Sequence, residues 1–219
     1  RLLTPPLQDA QPSAGYIQAY PEGVRENGGQ YSHAGVWALI AQAMGGHGDA
    51  AYRYFTYLSL AHRAAHPGRA EAYEIEPYVM AGDVYGRPPH AGRAGWSWYT
   101  GSAAWMYRAA IESVLGLRRR GTHFSINPCI PSSWPAYEIT WRVETTRYVI
   151  SVSNPGRLCR GVVESSVDGV GVNPDAIPLV LDGGTHQVRI RLGTVSESVK
   201  ATAAPEAAAA GLPVGTTRM

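Results

Sequence analysis

The sequence is poor in cysteine and in charge. Its 219 residues include two cysteines, Cys129 and Cys159, which stand far apart without the spacing of a metal site. We therefore expect two small buried residues of a reducing compartment. Charged residues make up 16% of the chain and leave a net charge of +2 with no long basic run, so nucleic acid is not an expected partner.

Long apolar runs are also missing. No stretch is apolar for long enough to span a bilayer and no signal peptide is visible, so we expect no direct membrane segment in this chain. We expect a location on the cytoplasmic side, and association of a longer parent protein with the inner membrane stays open. The chain begins at Arg1 rather than Met, and we interpret it as a piece of a longer polypeptide.

Phenylalanine is scarce, whereas the other aromatic residues are abundant. The chain has 13 Tyr and 6 Trp against 2 Phe. Tyr and Trp combine an apolar ring face with a polar tip, which suits stacking on sugars and bonding to their hydroxyls. An interior rich in amphipathic aromatic residues explains the same composition. Since 45% of residues are hydrophobic, a packed globular core is expected in either case.

Three helices are predicted in the first half of the chain from apolar residues at a spacing of about 3.6. They cover about 34–44, 49–65 and 102–117. The buried faces of the first and third are expected to carry Trp37, Ile40, Ala41, Met44, Ala104, Tyr107, Ile111, Val114 and Leu115. The three arginines at 118–120 are expected at the solvated C-terminal end of the third helix.

After Gly121 the apolar period changes to about 2, which predicts antiparallel β-structure. Strands are expected within 137–143, 148–152, 162–167, 178–181 and 188–192. From about residue 194 Ala, Ser, Thr and Pro dominate, and we expect a disordered tail. The expected fold class is thus α+β, with parts at 1–120, 121–193 and 194–219.

The loop at 20–33 concentrates charge, amides and glycines before a helix. Arg25 and Glu26 can both bond sugar hydroxyls, and the glycines at 28–29 let the backbone approach a ligand. A capping loop with a local ion pair is the structural alternative. His33 stands at the helix start, where a ligand role gains weight over that of a satisfied structural histidine.

A second helix start follows the aromatic run 96–99. Thr100, Gly101 and Ser102 are small, so free backbone N–H groups and the positive end of the helix dipole form an anion site there. An ordinary Ser N-cap is the alternative. Glu74 and Glu76 can be paired acid/base carboxylates, although the alternative of one buried structural glutamate and one exposed glutamate is favoured.

Three motifs together resemble those of the cellobiose-phosphorylase-like family, glycoside hydrolase family 94. They are Glu26-Asn-Gly-Gly-Gln-Tyr-Ser-His33, Glu76-Pro-Tyr-Val79 and Trp98-Tyr-Thr-Gly-Ser-Ala103, in this order and near these spacings. Segments 20–31 and 89–96 are most similar to the C-terminal phosphorylase-like module of cyclic β-1,2-glucan synthases. The resemblance covers about 1–193.

This resemblance implies the C-terminal part of an (α/α)6 barrel over 1–120, followed by a small antiparallel two-layer β-domain. It implies phosphate contacts at His33, Thr100 and Gly101. It implies sugar contacts beyond the scissile bond at Tyr20, Arg25 and Glu26, to which we add Trp96 and Trp98 from the aromatic run. No cofactor is implied, because inorganic phosphate is a co-substrate.

The family's general acid is an Asp in a motif like Asp-Trp-Asn-Asp, and this chain has no such motif. We therefore expect no catalytic residue in this chain and an acid upstream of it. The expected reaction is inverting phosphorolysis of a β-glucan, with β-1,2 linkages favoured, to α-glucose 1-phosphate. The expected partners are a β-glucan oligosaccharide, phosphate and the remainder of the same polypeptide.

Two other functions fit the same residues. A non-catalytic carbohydrate-binding module would use the aromatic residues and the polar loop to hold glucan alone. A β-sandwich interaction domain would use the helices as packing. A phosphate site beside His33 discriminates the enzyme from the carbohydrate-binding module, which has no use for phosphate. The isolated chain is expected to be inactive.

Overall fold

The computed structural model describes residue 3, residues 5–76 and residues 78–194. Apart from Thr194, the expected disordered tail lies outside the described residues. A 3₁₀ turn at Gly15–Ala19 comes first in the described part. The α-helices are α1 (Ser32–Met44), α2 (Gly48–Leu58), α3 (Leu60–Ala64), α4 (Pro67–Tyr73) and α5 (Thr100–Arg108), which continues as a π-helix at Ala109–Val114.

The strands that the structure describes form three sheets. β1 (Gln30–Tyr31), β2 (Asp83–Val84) and β3 (Ala94–Gly95) form a small sheet beside the helices. β4 (Leu117–Arg120), β5 (His123–Ile126) and β10 (Ile177–Pro178) form a second sheet. The third contains β6 (Ala136–Val143), β7 (Thr146–Ser153), β8 (Val162–Val167), β9 (Val170–Gly171) and β11 (Thr185–Leu192). The described chain is thus mixed α+β, and most of its strand pairs are antiparallel.

The predicted helix at 49–65 is wrong as a single element. Ser59 lies between α2 and α3 with φ −72° and ψ 124°, an extended conformation that no α-helix contains. Its N–H still closes the last turn of α2 onto the Phe55 carbonyl at 2.8 Å, and its own carbonyl accepts the Arg63 N–H at 3.0 Å. The chain therefore changes direction at Ser59 while both helix ends stay hydrogen-bonded.

The predicted buried faces of the helices are partly wrong. Trp37, Met44 and Tyr107 are 54%, 73% and 70% exposed. The buried residues of α1 are instead Ser32, Gly35, Val36, Leu39 and Ala43. The buried stripe on α1 is thus rotated by about one position from the predicted stripe, and three large apolar side chains of the helices stay exposed among the described residues.

The arginines at 118–120 are not at a helix end, as predicted, but in β4. The reason is Gly116, which turns the chain with φ 79°. A Cβ at this position would lie 2.3 Å from the Asn127 carbonyl carbon, so the turn requires glycine. The helical segment therefore ends before the arginines and antiparallel pairing with β5 begins at Leu117.

The β-structure differs from the prediction in two respects. β7 and β11 pair in parallel, whereas the other described strand pairs are antiparallel. Parallel neighbours need a crossover, which the long connection through β8, β9 and β10 provides. The strand expected at 178–181 is limited to Ile177–Pro178.

One apolar core joins the helices to the two larger sheets. Val36 and Leu39 of α1 belong to the same buried cluster as Ile130 and Tyr148. The two sheets meet where the Phe124 ring lies 5.1 Å from the Tyr148 ring and 5.3 Å from the Trp141 ring. The division of the chain at 120 and 121 stays a prediction. Among the described helices, none has the length and apolar character needed to cross a membrane.

His186 links two turns at one end of the five-stranded sheet. Its Nδ1 lies 2.7 Å from Asp168 Oδ2 and its Nε2 lies 3.2 Å from Asp182 Oδ1. The hydrogen bond to Asp168 is the main cause that raises the pKa of His186. The pKa of Asp168 is lowered chiefly by His186, and that of Asp182 chiefly by the Gly184 N–H. When both ring nitrogens are protonated, the imidazolium donates to a carboxylate in each turn.

We predict that the contribution of His186 to stability depends on pH. The raised pKa of His186 means that its contribution is complete below the ordinary histidine value of 6.5 and is lost as pH rises through the folded value. The lowered pKa values of Asp168 and Asp182 act in the opposite direction, because the stability that these carboxylates contribute is lost as pH falls below their ordinary value of 3.8. Measured by urea unfolding, the free energy of unfolding of His186→Gln should fall further below that of wild type at about pH 5.5 than at about pH 8.5.

The control for this prediction is His123→Gln, which changes an exposed histidine of β5. A difference for His186→Gln that stays constant with pH, or that grows as pH rises, would contradict the ionic link.

Candidate functional site

Two helix starts meet on one short segment, residues 80–82. The backbone N–H of Ser32, the first residue of α1, donates to the Gly82 carbonyl at 2.9 Å. The N–H of Tyr99, just before α5, donates to the Met80 carbonyl at 2.9 Å. Ser102 Oγ donates to the Ala81 carbonyl at 3.5 Å. Bonds to consecutive carbonyls require that α1 and α5 begin side by side.

A tyrosine pair adds a side-chain link between the same helix starts. The hydroxyl groups of Tyr31 and Tyr99 are 2.5 Å apart, and their rings are 6.0 Å apart. Burial, and then the hydrogen bond to Tyr99, raise the pKa of Tyr31 to about 12. The Tyr31 hydroxyl therefore stays protonated at neutral pH, and one of the two hydroxyl groups donates a hydrogen bond to the other.

His33 lies on the side of α1 that faces α5. Its ring centre is 4.9 Å from that of Trp37 and 6.0 Å from that of Trp105, which belongs to α5. Nε2 of His33 is buried and has no hydrogen-bond partner among the described residues. A satisfied structural histidine, the alternative considered above, would have such a partner.

Thr100 and Gly101 are the first two residues of α5, and both are exposed. No described residue accepts a hydrogen bond from their backbone N–H groups, because the first bond of this helix runs from the Ala103 N–H to the Tyr99 carbonyl at 3.1 Å. A Cβ added at Gly101 would meet no described atom within 4 Å. The start of α5 therefore presents free donors towards open space.

Arg25 contacts both Tyr20 and Trp96. The Arg25 guanidinium lies 4.2 Å from the centre of the Trp96 ring and 5.2 Å from that of Tyr20. Its Nη1 also donates to the Tyr20 hydroxyl at 3.3 Å. The Trp96 ring lies 4.7 Å from the Tyr99 ring, so this cluster reaches the start of α5.

Glu26 is half-buried beside the same cluster. The pKa of Asp83 is raised by burial, and the negative charge of Glu26 adds to this rise. Glu26 and Arg25 form no ion pair within the described part of the chain, so the local ion pair considered above is not observed there. Its carboxylate thus remains available to another partner.

Trp98 lies apart from Tyr20 and Arg25. Its Nε1 donates to Glu76 Oε1 at 3.3 Å, and its ring lies 6.1 Å from that of Tyr78. Glu74 forms an ion pair with Arg93 at 3.0 Å. The two carboxylates therefore have separate partners. The described contacts do not join Trp98 to the cluster around Arg25.

Asp83 holds the backbone of Arg25, a role that was not predicted from the sequence. It is 2% exposed, and its Oδ2 accepts the backbone N–H of Arg25 at 2.7 Å. Arg25 has φ 46°, a conformation that is uncommon outside glycine. A Cβ at Gly95 would lie 2.6 Å from Asp83 Oδ1, so this glycine makes room for the carboxylate. The one signal in the sequence is a lone charge among small and apolar residues.

A metal centre is not present among the described residues, where no three His, Cys, Asp or Glu side chains converge. The candidate site therefore consists of helix N–H groups, one histidine, one arginine, carboxylates and aromatic rings. These groups are able to bind an anion and a polyhydroxyl ligand next to each other.

Comparison with known proteins adds independent information. The family model for the glycosyl hydrolase 94 superfamily, catalytic domain, matches residues 1–116. The cyclic beta-(1,2)-glucan synthase NdvB of Rhizobium meliloti (strain 1021) is 48% identical over 163 residues, which are 74% of this chain and 6% of that protein.

Two phosphorylases are also similar. The N,N'-diacetylchitobiose phosphorylase of Vibrio furnissii is 34% identical over 195 residues, which are 88% of this chain and 24% of that protein. The solabiose phosphorylase of Paenibacillus borealis is 30% identical over 189 residues, 86% of this chain and 24% of that protein. This chain thus spans a quarter or less of the length of these three relatives.

We predict that removal of the Asp83 carboxylate destabilises the loop around Arg25. Asp83→Ala leaves the Arg25 N–H without its acceptor, and we expect the free energy of unfolding to fall by about 1–3 kcal/mol. Asp83→Asn retains an acceptor oxygen and should cost less. Urea unfolding measures both. The control is Asp175→Ala, which changes an exposed aspartate. If the alanine variant were no less stable than the asparagine variant, Asp83 would not have this role.

Proposed function

The chain belongs to the glycosyl hydrolase 94 superfamily, and from this membership and the site geometry we propose that it is part of an inverting glycoside phosphorylase module. The proposed substrates are a β-glucan and inorganic phosphate. Phosphorylases and a glucan synthase among its relatives support this class of reaction. The helices α1 to α5 would belong to the C-terminal part of an (α/α)6 barrel, which the rest of a longer polypeptide completes.

The observation that carries the proposal is the unpartnered Nε2 of His33, whose ring lies 6.0 Å from the ring of Trp105 in α5. A buried polar atom without a hydrogen bond costs free energy, and a phosphate oxygen would supply the missing partner. The N–H groups of Thr100 and Gly101 lie at the positive end of the α5 dipole, where anions are stabilised. Phosphate would thus accept hydrogen bonds from His33 and from α5.

Tyr20, Arg25, Glu26 and Trp96 would hold the sugar unit beyond the scissile bond. The Arg25 guanidinium lies against two aromatic rings, and these contacts restrict its orientation before a ligand arrives. Glu26 would accept hydrogen bonds from sugar hydroxyls. Trp98 would contact glucan further away, since its described partners are Glu76 and Tyr78.

The proposed reaction breaks the bond between the anomeric carbon and the glycosidic oxygen. An acid outside this chain protonates the leaving oxygen, while a phosphate oxygen attacks the anomeric carbon from the opposite face. Inversion of a β-glucosidic bond gives α-glucose 1-phosphate and a shortened glucan. Phosphate is already an anion, so it needs positioning and charge compensation rather than a general base.

The linkage and location are further parts of the proposal. A β-1,2 linkage is supported by the similarity to a cyclic beta-(1,2)-glucan synthase. Location on the cytoplasmic side is supported by the two cysteines, both of which are free thiols. The 219 residues alone are proposed to lack the acid and therefore to be inactive.

We predict that His33→Ala impairs phosphorolysis in the complete enzyme. Loss of one donor that stabilises charge in the transition state lowers the rate by about 10²–10³-fold. Initial rates measured against phosphate concentration should show this loss, whereas glucan binding should stay close to wild type. His66→Ala, which changes an exposed histidine before α4, is the matched control.

An unchanged rate and an unchanged phosphate dependence in His33→Ala would remove this residue from the phosphate site. A protein that binds glucan, but neither binds nor consumes phosphate, would be a non-catalytic carbohydrate-binding module instead.

A further inference from the structure

A cavity of about 430 Å³ lies at the C-terminal end of α1, the opposite end from His33. Its volume is within the range of about 300–1,000 Å³ that is typical of small-molecule sites. The 13 residues of α1, at about 1.5 Å of rise each, place the two ends of the helix about 18 Å apart. The cavity is therefore separate from the candidate site at the helix starts.

Three arginines line this cavity. Arg118 and Arg120 belong to β4, and Arg160 belongs to the loop before β8. Residues two positions apart in a strand share a face, so β4 directs Arg118 and Arg120 to the same side. Arg119, which lies between them in sequence, is on the other face of β4. The arginine run at 118–120 is thus divided by the strand into two cavity residues and one outward residue.

Two of these arginines are held in place through one nitrogen each. Arg118 Nε donates to the Glu112 carbonyl at 2.9 Å, and Arg160 Nη1 donates to the Met44 carbonyl at 3.4 Å. A guanidinium has five N–H donors, so most of them remain for a ligand. Arg120 has no hydrogen bond to any residue that the structure describes. A cap on the end of α1 would explain the Arg160 contact, but it does not explain why the other two arginines line the same cavity.

The cavity carries an excess of positive charge. Among its described lining residues, Asp175 is the one carboxylate, which leaves two of the three arginine charges uncompensated. No arginine of the cavity forms an ion pair within the described ranges 5–76 and 78–194. Cys129 also lines the cavity, and burial is the main cause that raises the pKa of its thiol, so this group stays neutral at neutral pH. A phosphate group, with about −1.5 to −2 charges at pH 7, would balance this excess.

The other polar groups of the cavity suit a ligand that also carries hydroxyl groups. Ser113, Ser125 and Asn127 line it with hydroxyl and amide groups, which donate and accept hydrogen bonds. Ser125 pairs with Arg118 in the sheet, so the two side chains are on one face. Asp175 repels a phosphate group but accepts a hydrogen bond from a hydroxyl. The cavity therefore favours a phosphate group attached to a small polar body over a second phosphate group.

We propose that this cavity is a second anion site, which binds the phosphate group of a small hydroxyl-bearing molecule such as a sugar phosphate. The three arginines bind the phosphate oxygens, and Asp175, Ser125 and Asn127 bind the hydroxyl groups of the body. The inference goes beyond the proposed function, because the site takes no part in phosphorolysis. It also does not depend on the identity of the site at His33.

The test is a calorimetric titration of the complete enzyme with glucose 6-phosphate, which compares Arg120→Gln with Arg119→Gln. Both residues are exposed residues of β4, and each substitution removes one positive charge, but Arg119 is on the face away from the cavity. We expect Arg120→Gln to weaken binding about 10-fold, because a hydrogen bond between charged groups is lost. Arg119→Gln should match wild type. Urea unfolding should show that neither substitution affects the fold.

His33→Ala separates this inference from the proposed function. This variant impairs the proposed catalytic phosphate site and should retain the glucose 6-phosphate binding that Arg120→Gln weakens. Titration with inorganic phosphate then distinguishes two sources of the phosphate group. Binding that depends on Arg120 and is as tight as that of glucose 6-phosphate identifies free phosphate, whereas weaker binding identifies a monoester. Either result supports the anion site, and binding of glucose, which has no phosphate group, should not change in Arg120→Gln.

Three results would overturn the second anion site. Equal weakening by Arg119→Gln and Arg120→Gln would show a general effect of the charge on β4. Glucose 6-phosphate binding that is absent, or that Arg120→Gln does not change, would leave the cavity without this ligand. Binding that is lost in His33→Ala and kept in Arg120→Gln would assign the sugar phosphate to the candidate site at the helix starts. Each result is read from binding alone, so it stays valid if the enzyme proves unable to use phosphate.

Discussion

The candidate site depends on the hydrogen bonds that attach two helix starts to residues 80–82. These bonds place the first turn of α1 beside the first turn of α5, although the two helices are far apart in sequence. The Gly82 N–H in turn donates to the Gly95 and Trp96 carbonyls at 3.0 and 2.9 Å, so the segment before α5 is held by the same residues. A single short segment thus determines where the donors of both helices point.

The sugar cluster is positioned by the three-stranded sheet that continues from this segment. Asp83 of β2 pairs with Tyr31 on one side and with Gly95 on the other, and its carboxylate holds the backbone of Arg25. Arg25 then stacks on Trp96, which contacts Tyr99. The proposed phosphate and sugar subsites are therefore joined by a chain of direct contacts. A displacement of Asp83 would move Arg25 and, through Trp96, the start of α5.

The elements that depend on local sequence were predictable, and those that depend on distant contacts were not. The change of apolar period near Gly121 correctly predicted strands in the second half. The break at Ser59 was missed because the flanking residues have helical spacing on both sides. The parallel pairing of β7 with β11 was missed because it is determined by a crossover connection rather than by either strand.

The same distinction applies to the site. The segments around Arg25, His33 and Thr100 were predicted from motifs that are continuous in sequence and from their resemblance to a known family, and their binding roles stay predictions. The role of Asp83 could not be predicted, because its partner Arg25 is 58 positions away and the local signal is limited to a lone charge among small and apolar residues. The separation of Trp98 from Arg25 also needed the structure, because adjacent aromatic residues in the sequence point to different partners.

The central claim is that α1 and α5 form one anion site. The most direct measurement is a phosphate titration of the ¹⁵N-labelled chain followed by amide and imidazole NMR shifts. The account predicts saturable shifts of the Thr100 and Gly101 amides and of the His33 ring, all with one dissociation constant. Shifts that are absent at these residues, or that follow different dissociation constants at His33 and at Thr100, would contradict it.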